Sequence, residues 1–406
     1  MNSRFRWTVY QLDTLKRCLT IINIKKQLKS LPKTLDETYD QILLRIDETY
    51  RENALRVLQF LAFAARPVTF VEAAEILTID LDQECYDPHR KLLNPDDLML
   101  LCSTLVTRAS ISEVDFKDVM ARTFYCEYYF EYTDCWMIRL AYLSVKDCLL
   151  SDRIKSSRLS HFALEAKLAN SLIAQVCVAY MMHLPFTKAC YDWDILQTRL
   201  NDWPSYHYAV HHWPYHVKLC GEPLDDKTWK LLQRFFETRK LPENGNYGAW
   251  VTALVPGVKN CHESEPLYYS ASFGVPSVIK RILESDPPPD IDKPGGRFLS
   301  SPLQVATFRN HPDAVKILLE AGANPNAVNQ CGQSQLFWAI GGELGECRTL
   351  LESYGATLTE LDIQMLDDWD KGLLTGYDTI SEAEEEEEGE DVSDSSESDY
   401  LYIEEI

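Results

Sequence analysis

The stretch 301–328, SPLQVATFRNHPDAVKILLEAGANPNAV, reads as two short helices followed by a turn. Pro302 suits a first helical position, where its missing N–H would have no intrahelical partner, and Ser301 before it is placed to cap. Leu303 and Ala306 share one side of that helix, and Ala306 is small, as a residue must be where two helices approach closely. Pro312 opens the second helix, with Asp313 beside its positive end. Leu318 and Leu319 bury this helix, and Gly322 supplies the left-handed residue that ends it. Asn324-Pro325-Asn326 then turns the chain out toward a hairpin loop.

The same pattern occurs on both sides. EPLYYSASFG (265–274) and SQLFWAIGGE (334–343) align with SPLQVATFRN (301–310), which puts Leu267, Leu303 and Leu336 at spacings of 36 and 33 residues. Second helices follow as VIKRILE (278–284), AVKILLE (314–320) and CRTLLE (347–352). A period of 33 residues with a TPLHxAA-like start is the ankyrin signature. Three repeats are about the minimum for a stable array, and the end repeats need covering. The helical region before Pro266 and the segment Leu358–Trp369 are the expected caps.

Stacked repeats present hairpin tips and first-helix residues on a concave face that binds other proteins. The register predicts Asp292, Lys293, Arg297, Asn329 and Gln330 at the tips. It puts Gln304, Phe308, Arg309, Phe337 and Trp338 at exposed first-helix positions. These ten are the candidate protein-binding residues. For Phe337 and Trp338 the alternative is simple packing at the end of a short array.

The chain before the repeats is also helical. A helix is expected from about Thr34 with Leu35, Tyr39, Ile42, Leu43 and Ile46 on one stripe. A second runs through Val57, Leu58, Leu61 and Phe63 until Pro67 stops it. Thr69 and Glu72 have capping-box spacing, and Asn94-Pro95 opens a helix through Leu98 to Leu105. β-like stretches follow at 122–132 and 136–143, and Ser144 is expected to cap SVKDCLL. Three helices followed by a two-stranded wing is the winged-helix plan. Residues 155–240 read as all helical, with loops marked by Pro185, Pro204, Pro214 and Pro223. The apolar run 168–184 is broken by Asn170, Ser171, Gln175 and His183 and falls short of the ~20 residues of a membrane span, so it reads as a buried helix.

The 406 residues carry 40 Lys or Arg against 62 Asp or Glu, a formal charge of −22. Thirteen of the acids and none of the bases fall in 381–406, a low-complexity run expected to stay disordered. Such a balance argues against nucleic acid or an anionic membrane as partner. The acidic run reads as a solvated appendage. The alternative is a docking segment for a basic partner through its end, DYLYIEEI (399–406), with Ser381 and Ser396 at acidophilic-kinase spacing. Met1–Tyr10 lacks the pattern of a secretory signal, and the twelve cysteines contain no CxxC, which together predict reduced thiols in the cytoplasm.

The motifs of chemistry are missing. No GxxxxGK[ST] cradles a phosphate, no GxSxG makes a nucleophile elbow, and no HExxH offers a zinc site. His207, His211, His212 and His216 fall into two pairs at four-residue spacing, but the motif they occupy is explained by packing and helix hydrogen bonds. The helix that would read DNA, 95–107, has no Lys or Arg and starts with two aspartates. No catalytic, cofactor-binding or metal-ligating residue is therefore assigned. One competing reading is an enzyme whose site lies among the Trp, Tyr and His of 191–216, at the junction with the repeats. Another is a truncated remnant without function.

Several runs resemble one family. SLPKTLDETYDQILLRI (30–46) resembles the segment that follows the NACHT nucleotide-binding domain in fungal NOD-like, STAND-type proteins. LAYLSVKDCLLSDRI (140–154) resembles the end of their winged helix, of the GPI inositol-deacylase type, although Tyr142-Leu143 stands where that family has His-Phe. YAVHHWPYHVKLC (208–220) is similar to their Trp/His motif, PGGRFLSSPLQVA (294–306) to their ankyrin repeats, and FRWTVYQLDTL (5–15) to the last helix of the NACHT module. The resemblance implies a mainly α protein. Residues 1–31 would be the end of a NACHT domain, 32–154 a winged-helix domain and 155–262 a helical linker domain. Ankyrin repeats would fill 263–358, a cap 359–380 and the acidic tail 381–406. It also implies a sensor and scaffold role without the nucleotide switch, whose phosphate-holding residues have no counterpart here.

Overall fold

The computed structural model describes residues 20–29, 32, 34–109, 136–258 and 261–371. The FRWTVYQLDTL run, the β-like stretch 122–132 and the acidic segment 381–406 lie outside the described residues. The chain is mainly α and forms two compact units. The first gathers the described residues up to Leu77, then His89–Ala109 and 136–169. The second takes Thr78–Pro88 and everything from Asn170 onward. The stretch 78–88 thus departs from the expected 32–154 domain, and the first unit runs past 154 to Ala169.

In the first unit, α1 (Ile21–Lys29) leaves Ile21 and Ile22 exposed. Helix α2 (Leu35–Leu44) is capped by Thr34, whose Oγ1 accepts from the Glu37 amide, and buries Tyr39, Ile42 and Leu43. Helix α3 (Arg51–Phe63) ends before Pro67 and buries Val57, Leu58 and Phe60. Strand β1 (Val68–Thr69) leads into α4 (Phe70–Glu75) through the expected capping box. Glu72 accepts the Thr69 amide at 2.7 Å and also binds Arg66 at 2.6 Å, so one buried carboxylate closes the cap and neutralises a buried guanidinium.

The Asn94-Pro95 helix is shorter than its sequence pattern. A 3-10 turn at Pro95–Asp97 passes into α5 (Leu98–Cys102), and Val106 and Thr107 already belong to β2 (Val106–Ala109). Strand β3 (Met137–Leu140) is the centre of a three-stranded antiparallel sheet in the order β1-β3-β2, with Val68 opposite Ile138 and Val106 opposite Leu140. Helix α6 (Leu143–Leu150) and the short α7 (Asp152–Lys155) follow. Ser144 does not cap α6, which starts one residue earlier; its hydroxyl instead meets Tyr39 Oη at 2.7 Å.

The second unit begins with a small antiparallel hairpin that pairs Ile79–Asp80 with Cys85–Tyr86, Tyr86 stacking near His183 and Trp203. Its body is helical: α8 (Ala166–Met181), α9 (Trp193–Asp202), α10 (Ser205–Leu219), α11 (Asp226–Glu237) and α12 (Gly245–Leu254). The polar breaks in α8 are buried and satisfied. Ser171 Oγ donates to Asp225 at 2.8 Å, Gln175 Nε2 donates to Thr228 Oγ1 at 2.9 Å, and Asn170 Oδ1 lies 2.8 Å from His216 Nδ1. Among the described residues no helix is long and apolar enough to cross a membrane.

Pro214 marks no loop, contrary to its expected role; it sits inside α10. A proline there cannot donate to the carbonyl four residues earlier. That carbonyl, Val210, accepts from Trp250 Nε1 at 3.0 Å, so a side chain of α12 supplies the bond the proline removes.

Three helix pairs follow: α13 (Pro266–Ser272) with α14 (Pro276–Leu283), α15 (Pro302–Phe308) with α16 (Pro312–Glu320), and α17 (Gln335–Gly341) with α18 (Gly345–Ser353). Each first helix ends at the same left-handed position, filled by Gly274, Asn310 and Glu343 at φ 58°, 55° and 55°. Gly322 takes φ 93° at the end of α16, as its place in the sequence predicts. Leu303, Ala306, Leu318 and Leu319 are buried. Helix α12 flanks the first pair, with Trp250 5.3 Å from the Tyr269 ring. Helix α19 (Glu360–Asp370) lies against the last pair, its Asp362 accepting from the Ser334 amide at 3.1 Å.

Candidate interaction surface

The first helices and loops of the three pairs hold all ten candidate residues. At the N-terminus of α15, Ser301 Oγ accepts the Gln304 amide while Gln304 Oε1 accepts the Ser301 amide at 2.8 Å. The same glutamine then donates through Nε2 to the carbonyls of Ala327 and Gln333, in the loop of the next repeat. Gln304 is therefore a buried clamp between repeats and not an exposed contact, which corrects its expected place. Phe337 is corrected likewise: it is fully buried, 6.5 Å from the Trp369 ring. Asn329 is buried at its hairpin tip, where Oδ1 accepts the amides of Cys331 and Gln333. In each case a polar or large side chain serves the stack, which repeat register alone does not distinguish from exposure.

Asp292 is half-buried and bridges forward, its carboxylate accepting the Asn324 amide at 3.0 Å. Asn326 repeats the device one unit on, accepting the Thr357 amide at 2.8 Å and donating to the Gly355 carbonyl at 3.2 Å. Lys293 pairs with Glu265 at 2.9 Å, and Arg239 holds the other oxygen of the same carboxylate. Gln330 is exposed, and its amide donates to the Phe298 carbonyl.

Of the remaining four, Phe308, Arg309 and Trp338 form one patch with Tyr268, which the repeat register does not single out, and Arg297 lies on the adjoining insert. The GGRFLS insert closes on itself through Gly295 and Ser300, whose amides and carbonyls pair at 2.9 and 3.0 Å. Gly296 takes φ 68° and presses against the Tyr268 hydroxyl so closely that a Cβ would stand 2.0 Å from it, so only glycine fits. Arg297 follows on the same insert, its guanidinium 5.5 Å from the Phe298 ring. Arg309 lies within electrostatic reach of the Tyr268 phenol, and its guanidinium is 5.9 Å from the Phe308 ring. Burial pulls the Arg309 guanidinium below its usual value, and the Tyr268 phenol opposes that shift. Phe308 in turn meets Trp338 edge to face at 5.0 Å. Phe308, Arg309 and Trp338 are half-buried, so the patch offers aromatic edges to solvent while burial covers much of the Arg309 guanidinium. Leu299, 50% exposed at φ 47°, and Val328 add apolar surface on the neighbouring loops.

The cluster at 191–216 is built differently. Tyr206, Tyr208, Trp213 and His216 are buried, and the recess beside Tyr206, His207 and His211 has room for about one water molecule. His216 Nδ1 faces the acceptor Asn170 Oδ1, so the ring carries its proton there, and Nε2 accepts from Tyr208 Oη at 2.8 Å. Burial lowers the His216 pKa to about 3. Among the described residues no group of three or more His, Cys, Asp or Glu is placed to hold a metal ion. The nine described cysteines are free thiols, and all but Cys85 and Cys331 are buried.

A family model for ankyrin repeats, in three copies, matches residues 243–329 and 267–362. The chain therefore carries ankyrin repeats, and the match takes in α12 as well as the three helix pairs. Among curated proteins, the azaphilone pigments biosynthesis cluster protein L of Monascus ruber is 26% identical over 315 residues, 73% of this chain. The chain spans 61% of the length of that relative.

Proposed function

We propose that this chain is a non-enzymatic interaction protein that grips a protein partner on the first-helix face of its ankyrin repeats. The observation that carries this is the Tyr268–Arg309–Phe308–Trp338 patch, on a stack where Asp292, Gln304, Asn326 and Gln335 join one repeat to the next. Aromatic and Arg side chains at a well-packed surface are the groups that dominate protein interfaces. In this reading the first unit is a winged helix. Its order, α3, β1, α4, α5, β2, β3, with β3 central between β1 and β2, supports that plan. The whole is the sensor and scaffold part of a cytoplasmic NACHT/STAND-type receptor, in which ligand at the repeats biases a switch carried elsewhere.

The test uses the full chain immobilised against a lysate of its source organism. A saturable protein should be retained, and Trp338→Ala should weaken its binding by about 2 kcal/mol, roughly thirtyfold, while the circular dichroism spectrum and melting temperature hold. Retention that ignores Trp338→Ala, Phe308→Ala and Arg297→Ala together would refute the assignment of the face, and turnover of a small molecule by the purified chain would refute the non-enzymatic reading.

A further inference from the structure

We propose that Thr359 is a phosphorylation site, and that a phosphate there unclips helix α19 from the last ankyrin repeat. Its effect on partner binding rests on the reading of the first-helix face above; the modification and the release of α19 do not.

Sequence and structure converge on this residue. In Thr359-Glu360-Leu361-Asp362, carboxylates stand one and three residues after the hydroxyl, the spacing that a kinase with a basic substrate groove reads. The same four residues are the capping box of α19: Thr359 Oγ1 accepts the Asp362 amide at 3.0 Å, and Asp362 accepts the Thr359 amide at 2.8 Å. Thr359 is half-buried, and Tyr354, Gly355 and Thr357 in the loop before it are exposed, so the hydroxyl is reachable whenever the first turn of α19 frays. The other capping boxes do not offer this. Thr69 and Ser301 are buried, and Ser301 is answered by a glutamine. Thr34 has acids at similar spacing, but the Glu37 it caps is exposed, so a phosphate there meets charge that water screens.

The buried carboxylate sets Thr359 apart. Asp362 is fully buried, and its second oxygen accepts the Ser334 amide at 3.1 Å, at the N-cap of α17. Helix α19 is thus clipped to the last repeat at both ends. Asp362 holds its start, and at its end Trp369 lies 6.5 Å from the Phe337 ring and so close to Gly341 that a Cβ there would stand 3.1 Å from it. The kinase transfers the γ-phosphoryl group of ATP: the Oγ1–P bond forms as the bond from that phosphorus to the ADP oxygen breaks, and the hydroxyl proton is released. The product carries nearly two negative charges beside the oxygen that had accepted the Asp362 amide. The positive end of α19 attracts them, but that is a surface effect weakened by water. The repulsion acts against a carboxylate excluded from water and fixed by two backbone amides, where charge is least screened. Repulsion therefore wins, the cap cannot close over the phosphate, and the open state accumulates. With α19 released, Phe337 loses its cover, and α17, which carries Trp338, loses the anchor at its N-cap.

The experiment incubates the full chain with an acidophilic Ser/Thr protein kinase, ATP and magnesium, then digests it with trypsin. Fragmentation of the peptide 349–371 should place a phosphate on Thr359. Amide exchange in 334–341 and 360–369 should quicken roughly tenfold, with 302–320 unchanged, and phosphatase should restore the slow exchange. Thr359→Ala should abolish the response to the kinase. Thr359→Ser, which keeps the cap and the hydroxyl, should retain it. A peptide unmodified at Thr359, a phosphorylated Thr359 with unchanged exchange, or quickened exchange that survives phosphatase would each overturn the proposal. None of these readouts needs a protein partner, so their failure leaves the partner-binding face standing. A chain that releases α19 on phosphorylation yet retains no partner in either state would reject that face alone.

Discussion

His216 should make the second unit sensitive to mild acid, by an amount the structure allows to be worked out. Its ring is fully buried between Tyr208 and Asn170, and desolvation holds its pKa at about 3. In the unfolded chain it returns to about 6.5. Below that value the unfolded state binds a proton that the folded state refuses, so folding loses stability as pH falls from about 6.5 toward 3, and the contribution is unaffected above 6.5. At pH 5 the deficit is about 1.5 units, or roughly 2 kcal/mol at 1.36 kcal/mol per unit. That is a large fraction of the 5–15 kcal/mol typical of a domain. Urea unfolding followed by tryptophan fluorescence should therefore lose about 2 kcal/mol between pH 7.5 and pH 5 on account of this residue. His216→Gln should be less stable at pH 7.5 but should show a pH difference smaller by about the same 2 kcal/mol. Nuclear magnetic resonance of the imidazole nitrogens should find the ring neutral, with its proton on Nδ1, at pH 5. A ring that titrates near 6.5 in the folded protein, or a glutamine variant with an undiminished acid loss, would refute the reasoning.

Three further outcomes follow from the packing. Trp250→Phe strands the Val210 carbonyl that Pro214 cannot serve and leaves a small void where the buried indole was; unfolding should cost about 2–4 kcal/mol less, read as a lower urea midpoint. Pro214→Ala in that variant should recover part of the loss, because the helix then supplies its own donor. Gln304→Ala removes a reciprocal cap and two donors to the next loop, and should destabilise by about 2–4 kcal/mol, with faster amide exchange in residues 327–333. Glu343→Gly, at the exposed left-handed position that Gly274 and Asn310 fill in the other repeats, should raise the unfolding free energy by about 0.5–1 kcal/mol, read as a higher urea midpoint.

The sequence carried the repeat in full, because its punctuation is local. Ser301, Pro302, Pro312 and Gly322 each do what their own backbone chemistry requires, whatever surrounds them. It carried less where a side chain answers to a distant partner. Ser144 has cap chemistry, yet Tyr39 claims its hydroxyl across 105 positions of sequence. Pro214 has the look of a loop, and Trp250, 36 residues further on, makes it tolerable in a helix. Helix α12, GNYGAWVTAL, was expected only as part of a helical region before Pro266, because its glycines and lack of a polar face hide the bounds of a helix buried on every side. Three of the ten candidate residues are buried for a related reason. Register says which residues sit at a tip or on a first helix, but Gln304, Asn329 and Phe337 are drawn inward by the neighbouring repeat, and Asp292 reaches across to Asn324.

That division of labour bears on how the surface works. Each repeat is joined to the next by side chains that bond backbone: Asp292 to Asn324, Gln304 to Ala327 and Gln333, Gln335 to Asn324, and Asn326 to Gly355 and Thr357. Backbone groups move only with their whole segment, so such bonds fix the spacing of the loops more tightly than contacts between flexible side-chain ends would. A surface built on them pays little ordering cost on binding, which is the condition under which a few aromatic and guanidinium groups suffice for a useful affinity. On the proposed reading Gln304 positions Phe308 and Trp338 without touching a partner. Gln304→Glu keeps the acceptor for the Ser301 amide but puts a second acceptor where the carbonyls of Ala327 and Gln333 need a donor. Its partner affinity should fall by about 1 kcal/mol at a concentration of urea too low to unfold the chain, and the loss should shrink at a pH low enough to protonate the carboxyl and give it back a donor. A Gln304→Glu chain that binds as tightly as the parent under both conditions would show that the loop spacing is set by the buried apolar stack alone.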